Sequence, residues 1–111
     1  MSVSVLIICH HAIGSAMVDT ITTTFGGDLP LTLKAYSISS DTDPDIAYPE
    51  LNTLLSGIDQ GDGVLILTDL FGSTPCNLAN KLEPTTKVRV VTGLNLPMLI
   101  RVMNYPNLSL E

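Results

Sequence analysis

A three-layer α/β fold around a mainly parallel sheet is predicted for this 111-residue chain by three observations. Four apolar runs rich in β-branched residues alternate with stretches whose apolar positions recur at helical spacing. Two of those runs, Val3–Cys9 and Gly63–Asp69, are apolar almost throughout, as strands covered on both faces are. The stretches between runs suit right-handed strand–helix–strand crossovers, which make successive strands parallel.

The first strand is expected at Val3–Cys9. Ala12–Phe25 follows with Ile13, Ala16, Met17 and Ile21 on one helical face, closed by Gly26–Gly27. Threonines at 20, 22, 23 and 24 are weak helix formers and blur its last turn. Leu29–Ser37 alternates apolar and polar residues, the pattern of an edge strand. Ser39–Pro49 holds acidic residues and two prolines and reads as a loop. Pro49 then suits a first helical position, with Leu51, Leu54, Leu55 and Ile58 on the buried side. Gly63–Asp69 is the third strand. Leu70–Ser73 makes a loop, and Thr74–Pro75 opens a short helix to Leu82. Lys87–Thr92 is the fourth strand and Asn95–Met103 a last helix, whose Leu96, Met98 and Leu99 are expected in the core. With the two apolar strands central, the order becomes 2-1-3-4, a flavodoxin-like arrangement in a single domain spanning residues 1–111.

Composition narrows the function. A net charge of −6 with five unclustered Lys and Arg residues offers no basic face, which nucleic-acid binding requires. No apolar run approaches the roughly 18–20 residues of a membrane-spanning helix. Met1-Ser2-Val3-Ser4 lacks the basic opening of a secretory signal, so a cytoplasmic protein is expected. Cys9 and Cys76 form no C-x-x-C motif and read as reduced thiols. Cys9 and His10, being adjacent on a strand, point to opposite faces and rarely share one metal ion, so no metal site is expected.

In such folds ligands bind beyond the carboxyl ends of the central strands, where strand order reverses. Beyond the first strand stand His10 and His11, the only histidines in the chain; beyond the third stands Asp69. An imidazole with one unprotonated nitrogen can accept a phosphoryl group, and a carboxylate on its other nitrogen fixes the tautomer and steadies the cation that forms. The helix opening at Thr74 would aim free N–H groups at the incoming phosphate. Gly72 would allow close backbone approach, and the Ser73 and Thr74 hydroxyls could add hydrogen bonds. This set calls for no cofactor. His11, Leu70 and Phe71 are candidates for a partner-facing surface.

The apolar strand ending in His10, the segment Thr68-Asp69-Leu70-Phe71-Gly72-Ser73-Thr74-Pro75-Cys76-Asn77, and the later Thr92-Gly93-Leu94-Asn95-Leu96-Pro97-Met98-Leu99 together resemble the IIA component of mannose-family bacterial phosphotransferase systems. The resemblance runs nearly the whole chain in the same order. It implies a phosphotransferase component in which His10 is phosphorylated on Nε2, Asp69 orients it and Thr74 contacts the phosphate. It further implies the phosphocarrier HPr as donor and a IIB component as acceptor for sugar uptake. The membrane is met only through a IIC/IID permease, and a homodimer is implied. The chain departs from the family pattern at His11, where glycine is usual, which keeps a second ring in play, and at Thr74, where serine is commoner. It is also expected to lack the usual C-terminal helix and strand. Two further readings share the crevice. One is a phosphorylation-state regulator without a permease. The other is a receiver-like or flavin- or nucleotide-binding module, for which the acidic pair or Gly-rich loop after the first strand is missing.

Overall fold

The computed structural model describes residues 3–39, 43–59, 61–69 and 88–105. Four strands form one sheet: β1 (Ser4–His10), β2 (Leu33–Ile38), β3 (Val64–Thr68) and β4 (Val88–Val91). Their order is β2-β1-β3-β4 and every described pairing is parallel, as the alternation of runs predicts. The helices are α1 (Ile13–Thr24), α2 (Pro44–Ile58) and α3 (Leu96–Asn104).

The pleat of the sheet sorts the apolar residues into two cores. Even-numbered Leu6, Ile8, Val64 and Ile66 face α2, where Ala47, Leu51, Leu55 and Ile58 meet them. Odd-numbered Val5, Ile7, Cys9 and Leu67 face the other way, against Ile21 of α1 and Leu99 and Met103 of α3. Central β1 is buried on both faces along Ser4–Cys9, which is why its sequence is apolar without a break from Val5 to Cys9. Leu99 is buried and Leu96 and Met98 pack against the same core, as expected of them. Among the described residues, no helix is long and apolar enough to cross a membrane.

Two element boundaries correct the sequence reading. β2 begins at Leu33 rather than Leu29: Pro30 has no N–H for a ladder, and pairing with β1 starts where Thr32 O accepts from Val5 N–H at 2.8 Å. α2 begins at Pro44, five residues before the expected start, so Pro49 lies inside the helix. The Asp43 carboxylate accepts from Asp45 N–H at 3.0 Å, and Pro44 takes the first turn, where its missing N–H costs nothing. The predicted helix from Thr74–Pro75 to Leu82 lies outside the described residues.

At α1, Gly14 lets the helix lie close on the sheet. A Cβ there would sit 3.2 Å from Ile7 Cγ2 and 3.4 Å from Ala35 Cβ. The first turn of α1 is therefore held tightly against β1, the strand that carries His10, and β2.

Candidate functional site

β1 is a central strand, so its backbone N–H groups bond alternately to β2 and β3. Val5 N–H and His11 N–H reach toward β2, to Thr32 O at 2.8 Å and Ile38 O at 2.7 Å. Ser4 N–H reaches toward β3, to Gly63 O at 3.1 Å. Six residues along both strands the equivalent pair is His10 and Asp69. There β3 has ended, and the acceptor of His10 N–H is a side-chain oxygen, Asp69 Oδ2, at 3.0 Å. The carboxylate continues the ladder one rung past the end of its strand.

The same Oδ2 lies 2.8 Å from His10 Nδ1. An oxygen that already accepts from a backbone N–H acts as the acceptor toward the ring too, so Nδ1 carries the hydrogen and Nε2 presents its lone pair. Two bonds to one oxygen fix the backbone and the imidazole of His10 together. The Asp69 side chain is 11% exposed and that of His10 32%. The acid is thus largely screened from water while part of the ring faces it. A free imidazole nitrogen on a ring held by a carboxylate is a nucleophile whose cationic product is stabilised in place.

The surroundings sharpen this. Burial pushes the neighbouring Cys9 thiol up to about 12, with the negative charge of Asp69 adding to the rise. α1 starts three residues after His10, and no side chain caps its N-terminus at Ala12. Its amide dipoles end at the same sheet edge and favour negative charge there. Thr68, fully buried just before Asp69, has an Oγ1 with no hydrogen-bond partner among the described residues.

Of the residues singled out in the sequence, the structure brings His10 and Asp69 together and leaves His11 exposed beside them. Leu70, Phe71, Gly72, Ser73 and Thr74 lie outside the described residues. Two features went unread in the sequence. His11 adopts φ 46, the left-handed region, and is the single non-glycine among the described residues to do so. Its N–H bond to Ile38 O accompanies that turn, and the glycine usual at this place in the family pattern is the signal that could have found it. The other feature is a set of exposed apolar side chains at the same edge: Ile13 opening α1, Ile46 in the first turn of α2, and Val91 ending β4. Ile46 escaped notice because its segment reads as a loop until Asp43–Pro44 is recognised as a cap.

Similar folds are found among solved proteins. The mannose/sorbose-specific IIA subunit of the phosphotransferase system from Enterococcus faecalis is 28% identical, over 96% of this chain and 79% of that one, with a TM-score of 0.80. The phosphotransferase IIA protein associated with the fucose utilization operon of Streptococcus pneumoniae shares the fold at 20% identity and a TM-score of 0.83, over 100% and 85% of the two chains. So does component EIIA of the phosphotransferase system from Streptococcus agalactiae, at 21% identity and a TM-score of 0.79, over 93% and 78%. The family model described as the PTS system fructose IIA component matches residues 4–108. With the strand order, the motifs and this match in agreement, the chain belongs to the mannose-type IIA family of phosphotransferase-system components.

Proposed function

We propose that the chain is a phosphoryl carrier whose acceptor atom is Nε2 of His10. Phosphorylated HPr is the donor and a IIB-type component the acceptor in sugar uptake. The observation that carries this reading is the double hold of Asp69 Oδ2 on His10, at 3.0 Å to the backbone nitrogen and 2.8 Å to Nδ1. In the step, the Nε2 lone pair forms the new N–P bond while the donor's N–P bond breaks, its electrons returning to the donor ring. The His10 ring keeps its Nδ1 proton and becomes a cation facing the carboxylate. The second transfer reverses these roles. Gly72, Ser73 and Thr74 complete the proposed set as the residues that hold the phosphate.

Protein partners fit this edge. Ile13, Ile46 and Val91 offer apolar contact around the histidine, and exposed Asp43 and Asp45 flank them on α2. Lys34 at the start of β2 and Arg101 in the last turn of α3 stand at the opposite end of the sheet. An apolar face with an acidic border suits a partner with a basic one.

The test is phosphorylation with enzyme I, HPr and phosphoenolpyruvate. The wild-type chain is expected to gain one acid-labile, alkali-stable phosphate, and the His10→Ala chain none. Labelling of His10→Ala, or an unlabelled wild type, overturns the proposal.

A further inference from the structure

We propose that His11 is a second working imidazole of this site, donating a hydrogen bond to the phosphoryl group as it reaches or leaves Nε2 of His10. The inference rests on the carrier reading and deepens it.

The backbone supplies the first reason. At φ 46, a residue with a side chain sits where glycine is at ease and other residues pay roughly 1–2 kcal/mol. The His11 side chain is exposed, so no packing offsets that cost. Strain of this kind clusters at sites of function and is held by the structure around it, here by the bond to Ile38 O.

Position supplies the second. His11 N–H is tied to Ile38 O at 2.7 Å, and the preceding N–H, of His10, is tied to Asp69 Oδ2 at 3.0 Å. Two successive amides are therefore pinned to opposite sides, one toward β2 and one toward Asp69. The root of the second imidazole cannot drift from the first.

Charge supplies the third. A phosphoryl group brings about two negative charges to an edge already holding Asp69, with Asp43 and Asp45 at the adjacent helix start. The described basic residues are elsewhere: Lys34 opens β2, Arg89 pairs with Leu65 in the amino-terminal half of the sheet, and Arg101 closes α3. Among the described side chains at this edge, His11 and Asn95 carry an N–H besides His10; Asn95 Nδ2 is turned to Gly93 O at 3.3 Å, and His11 is the one next to His10 in the chain. It has that N–H whether neutral or protonated. It gives up no proton in the transfer; the atoms exchanged are those of the N–P bonds already described.

Phosphoramidate is a suitable probe, because this small donor phosphorylates imidazoles without a docking partner. Its N–P bond breaks, Nε2 takes the phosphoryl group, and ammonia leaves with a proton from water. Phosphorus NMR follows the rate at His10 for the wild type, His11→Gly and His11→Asn, with thermal unfolding of each. Glycine relieves the backbone and removes the donor; asparagine tolerates the left-handed region and keeps an N–H. The expected result is a fall of about tenfold or more for His11→Gly at equal or higher Tm, with His11→Asn within about threefold of wild type. A His11→Gly rate equal to wild type, or a loss that follows a lowered Tm, overturns the inference and leaves the carrier reading intact. A wild type that takes no phosphate on His10, from phosphoramidate or from HPr, overturns both.

Discussion

Neighbouring residues at the end of β1 meet opposite fates because the pleat turns them to opposite faces. Cys9 is fully exposed to the α1 and α3 core and fully closed to water, while His10 keeps a third of its side chain in solvent. Burial, helped by the charge of Asp69, lifts the Cys9 thiol from its ordinary 9.0 to about 12. A thiolate is the reactive form, so Cys9 is inert near neutrality. In a Cys76→Ser background, a thiol reagent such as dithionitrobenzoate at pH 8 is expected to leave the folded chain untouched and to react on unfolding in urea. The raised value also sets a sign. From pH 9 upward the unfolded chain loses this proton and the folded chain does not, so the stability from Cys9 is complete below about 9 and lost as pH rises through about 12. A urea midpoint that holds steady through that range would contradict it.

At the scale of elements, α2 is the instructive case. The buried spacing of Leu51, Leu55 and Ile58 was legible in sequence, and so was the helix those residues face the sheet with. The start was misread because two prolines compete for the first turn and either satisfies the rule. The structure gives the place to Pro44, since Asp43 caps it, and leaves Pro49 inside the helix without an N–H for the Asp45 carbonyl. Pro49→Ala is expected to stabilise the protein by about 2 kcal/mol, the helix-interior cost of proline less its benefit in the unfolded chain. Thermal unfolding would show a Tm several degrees higher; an unchanged or lower Tm would mean that α2 tolerates the ring without strain. The left-handed turn at His11 was not legible for a different reason. It depends on where β2 ends and offers Ile38 O, and a histidine in this place hides what the glycine usual in the family pattern would have signalled. By contrast, the meeting of His10 with Asp69 followed from strand order alone. Two adjacent parallel strands in register, Ile8 opposite Thr68, put the last residue of β1 and the first beyond β3 in one crevice, His10 lying within its strand rather than beyond it.

Across the whole molecule, the chemistry gathers at one end of the sheet. The carboxyl end carries both histidines, Asp69, the start of each described helix and three exposed apolar side chains. The opposite end carries Lys34 and Arg101, the latter over the Tyr105 ring at 5.0 Å. That polarity comes from parallel strands joined by helices that all return the same way, so each connection entering a helix falls at one edge. Family membership agrees with this layout, and the proposed carrier role turns on one contact: Asp69 holds Nδ1 of His10, which leaves Nε2 to take the phosphoryl group. Long-range nitrogen–proton NMR of the phosphorylated, nitrogen-15-labelled chain measures that choice directly. A single phosphohistidine is expected, His10, modified at Nε2 with Nδ1 still protonated. Phosphate on Nδ1 of His10, or on either nitrogen of His11, would contradict it.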